Sequence, residues 1–312
     1  MSLSNSLGYC CICNTLRDQK PSVFTGRSII KRTFTESLRD ERAYLNCCDL
    51  LPILQWNEQH DIRVFRFGSD FFPRATCPEF GYDILRLPQI DLIRAELKRC
   101  GDFAIKHGHH LSSHPGQFNV LCSDKPHVVD NTIRELEMHS LVCDLIDPYD
   151  RLDMPINIHM GAGFSLDACD RFVAAYDRLS PKLRSRLVVE NDDKRGSYST
   201  KQLYDHVYSR CGIPITFDFH HHAIHPDGLS AYDAFQLALS TWGDNRSCQV
   251  HYSQSPTADK LIPKHSDYYR DPLPSWLDNY ADRIHCHLEC KSKELGLLDY
   301  RQKFCKEKKM IA

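Results

Sequence analysis

No stretch of about 18 apolar residues occurs anywhere in this 312-residue chain, so a membrane-spanning helix is not expected. Charge of one sign is also missing: 39 lysines and arginines against 41 aspartates and glutamates leave a formal net charge of −2. That balance excludes a strongly basic nucleic-acid coat and leaves only local basic patches to attract phosphates. Neither a GxGxxG loop nor a P-loop is present, so nucleotide-cofactor chemistry is not expected. No low-complexity linker or proline-rich hinge divides the sequence. The opening MSLSNSLGY has no cationic segment followed by an apolar one, which points to an intracellular, soluble protein of cytoplasm or nucleus. Fifteen cysteines are present, but their number is odd and their spacing scattered, so free thiols are expected rather than disulfides. Cys10 and Cys13 have CxxC spacing inside an apolar, strand-like run and lack a second pair, so no structural zinc is expected there.

What the sequence does contain is a repeating alternation of a short apolar run and a longer amphipathic one, the pattern of βαβ units. The short runs are LGYCCIC (7–13), RVFRFG (63–68), HHLSSH (109–114), PINIHMG (155–161), LVVEN (187–191), PITFDFHH (214–221), CQVHYS (248–253) and RIHCHLE (283–289). Segments such as ERAYLNCCDLLPILQWNEQH, IDLIRAELKRCGDFAIKHG, DNTIRELEMHSLVCDLI and LDACDRFVAAYDRL place apolar residues three and four apart, as amphipathic helices do. Eight strands alternating with helices predict one (β/α)₈ TIM barrel over residues 1–312, with a helical or flexible tail from about residue 291. An open doubly wound sheet would use fewer strands.

Histidines and carboxylates fall at the C-terminal ends of these runs. They are His114 in the third, His159 in the fourth, Glu190 in the fifth, and Asp218 with His220, His221 and His222 in the sixth, then His251 and Glu289 in the last two. A single histidine near a strand end is more often a hydrogen-bonded structural residue than a ligand, and an HHH run alone can be a solvated loop. Six consecutive strands contributing such a group at the equivalent end is another matter, because in a TIM barrel those ends converge on one face. Imidazoles mixed with carboxylates suit Zn²⁺, Mn²⁺ or Fe²⁺ better than Ca²⁺, and Mg²⁺ less well. The donors outnumber the three or four that one catalytic ion takes from a protein, so two or three divalent ions are expected. The donors do not by themselves name the metal, and the expectation puts Mn²⁺ first, with Zn²⁺, Mg²⁺ or Fe²⁺ behind it.

These residues also resemble a known family. LGY at the first strand, FRFGSDFFP after the second, SHPGQF, IHMGAGF, LVVENDD, FDFHHH, VHYSQSP, HSDY and HLECKSKE occur in order along nearly the whole chain. Together they make it similar to the UV damage endonucleases, relatives of the endonuclease IV group of abasic-site nucleases. The resemblance implies a metal-dependent DNA repair enzyme that hydrolyses the phosphodiester immediately 5′ of ultraviolet photoproducts in double-stranded DNA and leaves a 3′-hydroxyl. It implies metal ligation by His114, His159, Glu190, Asp218, His221, His251, His265 and Glu289, with Glu190, Glu289, His159 and Asp218 at the chemistry. It further implies that Tyr9, Asn14, Gln117 and Phe118 contact the lesion. His265 is promoted by the resemblance alone. A monomer acting on damaged duplex DNA, without a membrane or a nucleotide cofactor, is the expected form.

Two positions depart from that pattern. Relatives often carry a lysine, able to be carboxylated, where this chain has Gln249, and often a histidine where it has Cys77. Rigid Pro115 and Gly116 ahead of Gln117 and Phe118 suit a wedge that fills the gap left by an extruded base. Arg27, Lys31, Arg32 and Arg39 could grip a backbone or form a solvated face, and Lys291, Lys293 and the KEKK run read as a solvated tail. The rival readings are an abasic-site endonuclease on the same scaffold, a sugar isomerase of the xylose isomerase type, and a DNA-damage binder without catalysis.

Overall fold

The computed structural model describes residues 3–194 and 196–305. Eight parallel strands close on themselves: β1 (Leu7–Cys11), β2 (Val64–Phe67), β3 (His110–Ser113), β4 (Ile156–His159), β5 (Leu187–Glu190), β6 (Ile215–Asp218), β7 (Cys248–Tyr252) and β8 (Ile284–Leu288). β1 pairs with both β2 and β8, which seals the (β/α)₈ barrel that the alternation predicts. None of the described helices is long and apolar enough to cross a membrane.

Strand side chains alternate between faces, and the register decides which set points inward. Cys10 aligns with Arg66, Arg66 with Ser112, Asn157 with Val188, Glu190 with Thr216, Asp218 with His251, and His251 with His287. Their neighbours, among them Phe65, Phe67, Leu111, Ile158, Val189, Phe217, Val250 and Leu288, are buried against the surrounding helices and form the main apolar core. TIM-barrel interiors are usually filled by branched aliphatic layers. Here polar side chains occupy much of the inward layers, with Ser112, Asn157, Thr216, Gln249 and His287 all fully buried beside a few apolar residues such as Val188.

Two local expectations need correction. The single helix expected over 41–60 is two, Glu36–Cys48 and Leu50–Gln59. Pro52 is the cause, because its ring collides with the carbonyl four residues back and it has no N–H to donate, so it is tolerated only in the first turn of the second helix. The sixth strand ends at Asp218 rather than running through the histidines. The Asp218 carboxylate accepts from the His221 N–H at 2.7 Å and caps a short helix, Phe219–Ile224, so the three histidines leave in different directions. Elsewhere the periodicity holds: Ile90–His107 ends at Gly108, whose φ of 67° supplies the left-handed cap. In the expected tail, Glu294–Phe304 is helical, and the KEKK run lies outside the described residues. All fifteen cysteines are free.

The end of the barrel opposite the strand C-termini is tied by Glu58, which sits in the last turn of Leu50–Gln59. Its carboxylate accepts from Arg63 Nε and Nη2, both at 3.2 Å, and from His109 Nε2 at 2.9 Å, joining that helix to the entries of β2 and β3. The Arg63 guanidinium first, and then His109, hold the Glu58 carboxyl down at about 2, from 4.5, against the opposing effect of burial. A carboxyl depressed on folding stabilises the fold fully above about 4.5 and loses that contribution as the pH falls through about 2. Glu58→Gln should therefore lower the urea unfolding free energy at pH 7 by about 1–3 kcal/mol, and the gap from wild type should narrow between pH 4.5 and 3. An unchanged gap at pH 3 would show that the charge is not what matters.

Candidate metal centre

Glu190, the last residue of β5, is the hub of the cluster at the C-terminal mouth. It is 1% exposed. His251 Nδ1 lies 3.1 Å and His221 Nδ1 3.3 Å from its Oε1, while His114 Nε2 and His159 Nε2 each lie 3.6 Å from Oε2. Asn157, one layer deeper on β4, donates to the same Oε2. Glu289, immediately after β8, approaches His251 Nδ1 at 3.4 Å and forms an ion pair with Arg66 of β2. His265, in the loop after β7, donates from Nδ1 to the Glu289 carbonyl at 2.7 Å. The tertiary fold thus gathers all eight expected donors around one mouth.

Burial opposes ionisation of Glu190, but the facing imidazoles of His251, His159, His114 and His221 more than offset it and hold the carboxyl well below the usual range. Glu289 is partly buried, which pushes its carboxyl up, but Arg66 and then His251 hold it low. For Asp218 burial wins and the carboxyl is raised. His114 is pushed down by burial, whereas Asp218 and Glu190 overcome the burial of His221 and raise it.

Two donor sets share Glu190: His114, His159 and Glu190, and Glu190, Asp218 and His251, each with ligand atoms within 4.8 Å of one another. Both could hold a divalent ion, and the side-chain orientations fit that use. A ligating histidine usually donates its second N–H to a carbonyl or carboxylate, which fixes the tautomer. His114 donates from Nδ1 to the Pro115 carbonyl at 2.9 Å, His221 to the Asn191 carbonyl at 2.9 Å, and His265 to the Glu289 carbonyl, so each keeps an Nε2 lone pair. His159 Nδ1 faces Asp192 Oδ1 at 3.4 Å. Asp218 Oδ2 is buried without a hydrogen-bond partner, an acceptor that a cation would satisfy.

The cluster floors a cavity of about 880 Å³ that opens between Gln117, Phe118, Ala162, Lys194 and Ser197. Phe118 is 85% exposed at its rim. Tyr9 and Asn14 are not brought there. Tyr9 is fully buried on the outer face of β1 with its hydroxyl donating to Asn57 Oδ1 at 2.8 Å, and Asn14 donates from its side chain to the Ser292 carbonyl at 3.2 Å. Cys77 lies in a neighbouring cavity with Arg74, Gly116 and Glu135. Its thiol, although pushed up by burial, is held below the usual range by the backbone N–H groups of Glu79 and Phe80 and by Arg74. Gln249 lies directly beneath His251. Of the basic residues after β1, Arg27 is paired with Asp49, Lys31 with Glu79 and Arg39 with Asp40.

Arg66, Asn157 and Asp192 were missed by the strand-end pattern. The signal for Arg66 and Asn157 was alternation: each is a polar residue between apolar neighbours in a buried strand. Asp192 had no signal beyond its place in the ENDD segment at the end of β5.

A UV-damage endonuclease of Schizosaccharomyces pombe is 32% identical over 316 residues, covering 96% of this chain, and the chain spans half the length of that relative. The crystal structure of SacUVDE superposes with a TM-score of 0.81 at 28% identity, over 95% of this chain and 96% of that one. Endonuclease IV from Thermus thermophilus shares the fold, with a TM-score of 0.58 at 12% identity over 81% of this chain and 93% of that one. The model of the UV-endonuclease UvdE family matches residues 5–311, and this chain belongs to that family.

Proposed function

We propose that this chain is a metal-dependent endodeoxyribonuclease that nicks duplex DNA immediately 5′ of ultraviolet photoproducts and leaves a 3′-hydroxyl. The observation that carries this reading is the pair of donor sets sharing the buried Glu190 beneath a wide cavity with an exposed aromatic at its rim. Membership of the family supports it. Two or three divalent ions, manganese first, would be held by His114, His159, Glu190, Asp218, His221, His251, His265 and Glu289. When bound they would supply Lewis acidity toward the phosphate oxygens and acidify a water.

The protein's own groups prepare the rest. Glu190 joins the two donor sets, and Asn157 fixes its Oε2 from below. Arg66 neutralises and orients Glu289. The carbonyls of Pro115, Asn191 and Glu289 hold three imidazoles in one tautomer, so little reorganisation is needed when a phosphodiester arrives. Gln117 and Phe118 stand at the rim on the turn set by Pro115 and Gly116, where a planar side chain can enter the stack beside a weakened base pair. Extruding a damaged pair costs less than opening an intact one, which gives selectivity without reading each adduct by hydrogen bonds. Lys194, exposed at the same rim, is placed to meet a phosphate.

Purified protein with Mn²⁺ should nick a duplex carrying a pyrimidine dimer directly 5′ of the lesion and leave an undamaged duplex intact, as mapped on a sequencing gel. Cutting only an abasic duplex would retain the scaffold and change the substrate; aldose isomerisation with no nicking would replace the reading. Chelation by EDTA should abolish the nick, and Glu190→Gln should slow it by about a thousandfold, equivalent to roughly 4 kcal/mol of lost transition-state stabilisation. Phe118→Ala should weaken the damaged duplex by about tenfold in a binding titration, within the 1–3 kcal/mol typical of base–aromatic stacking, with unfolding temperature unchanged because the ring is exposed. Loss of stability in that variant would mean the ring packs rather than probes.

A further inference from the structure

His251 is held differently from the other histidines of the centre. It is fully buried, and its Nδ1, like that of His221, faces the carboxylates, with Glu190 Oε1 at 3.1 Å and Glu289 Oε1 at 3.4 Å, but unlike the Nδ1 of His114, His221 and His265 it donates to no backbone carbonyl. No backbone carbonyl takes its second nitrogen. Among the described residues, Nε2 has two polar neighbours: Arg66 Nη1 at 3.5 Å and the Gln249 side-chain amide at 3.0 Å. A guanidinium only donates, so Arg66 cannot accept an N–H. The amide can do either, and as placed its Nε2 faces His251 while its Oε1 is buried without a partner.

The consequence is a choice between two tautomers. With the amide N–H donating to Nε2, the imidazole proton resides on Nδ1, which lies beside Glu190 without a hydrogen-bond partner. A cation between Glu190, Asp218 and His251 needs the Nδ1 lone pair, so the proton must reside on Nε2 and requires an acceptor there. Half a turn of the terminal amide brings the orphaned Oε1 to that place, since the two amide atoms are sterically equivalent. We propose that Gln249 is a positioning residue whose amide turns to accept the His251 Nε2–H when the ion bound by Glu190, Asp218 and His251 is present, and so sets the affinity of that ion. The proposal rests on the metal-dependent reading above.

The test uses zinc, which is diamagnetic, with isothermal titration and ¹⁵N-histidine NMR, the His251 signals being assigned by their loss in His251→Asn. In metal-free wild type His251 should carry its proton on Nδ1, and zinc should move it to Nε2. Gln249→Met, which keeps the volume and removes the acceptor, should weaken one of the bound ions by about 10–100-fold and leave the ion of His114, His159 and Glu190 within about threefold. Gln249→Glu can accept but cannot donate, so it should restore the affinity and show the Nε2–H tautomer even without metal. Urea unfolding of the metal-free variants separates a lost fold from a lost acceptor. Wild-type affinity for both ions in Gln249→Met, or an Nδ1–H signal in the zinc-loaded wild type, would overturn the proposal. Failure of wild type to bind any zinc would overturn the metal reading beneath it.

Discussion

A carboxylate as deeply buried as that of Glu190 stays ionised only where compensating charge and hydrogen bonds surround it. Four imidazoles and an amide do so here, from β4, β7, the loop after β3 and the short helix after β6, and the rest of the mouth is arranged around that requirement. Two of these imidazoles, His114 and His221, and the nearby His265 are in turn steered by backbone carbonyls of the βα loops, which are themselves fixed by the strands they follow. Donors supplied by β3 through β8 can converge only because the sheet closes, so the site and the barrel are one constraint seen at two scales.

The polar barrel interior follows from the same requirement. An aliphatic layer beneath Glu190 would leave its charge facing hydrocarbon. Ser112, Asn157, Gln249 and His287 instead give the cluster a floor of donors and acceptors, with Ser112 Oγ and His287 Nε2 3.1 Å apart and Gln249 against His251. The apolar burial that stabilises the fold is displaced outward to the strand–helix interface, where Phe65, Phe217, Leu111 and Val250 pack. Stability and chemistry thereby occupy opposite faces of the same strands, and the ion-paired Glu58 works at the far end of the barrel without touching the centre.

Period-two and period-3.6 patterning alone established eight strands, their helices and the barrel, because those periodicities depend only on local backbone geometry and on which face is buried. The same strand ends marked the donors His114, His159, Glu190, Asp218, His251 and Glu289. Other features depended on local chemistry that the periodicities do not carry, or on residues distant in the chain. Pro52 split a helix that its hydrophobic pattern ran together, and Asp218 acted as a cap that ended a strand and turned His221 back toward Glu190 while His220 went to the Ile262 carbonyl. The resemblance placed Tyr9 and Asn14 at a lesion, yet their partners, Asn57 and Ser292, lie 48 and 278 residues away and hold them elsewhere. Arg66 meets Glu289 across 223 residues of chain, a pairing no local pattern can encode. The sequence by itself determined which groups could bind metal and on which face of each strand they stood; the closed sheet decided their distances, their burial and the nitrogen each imidazole presents, because those depend on neighbours that only the fold brings together.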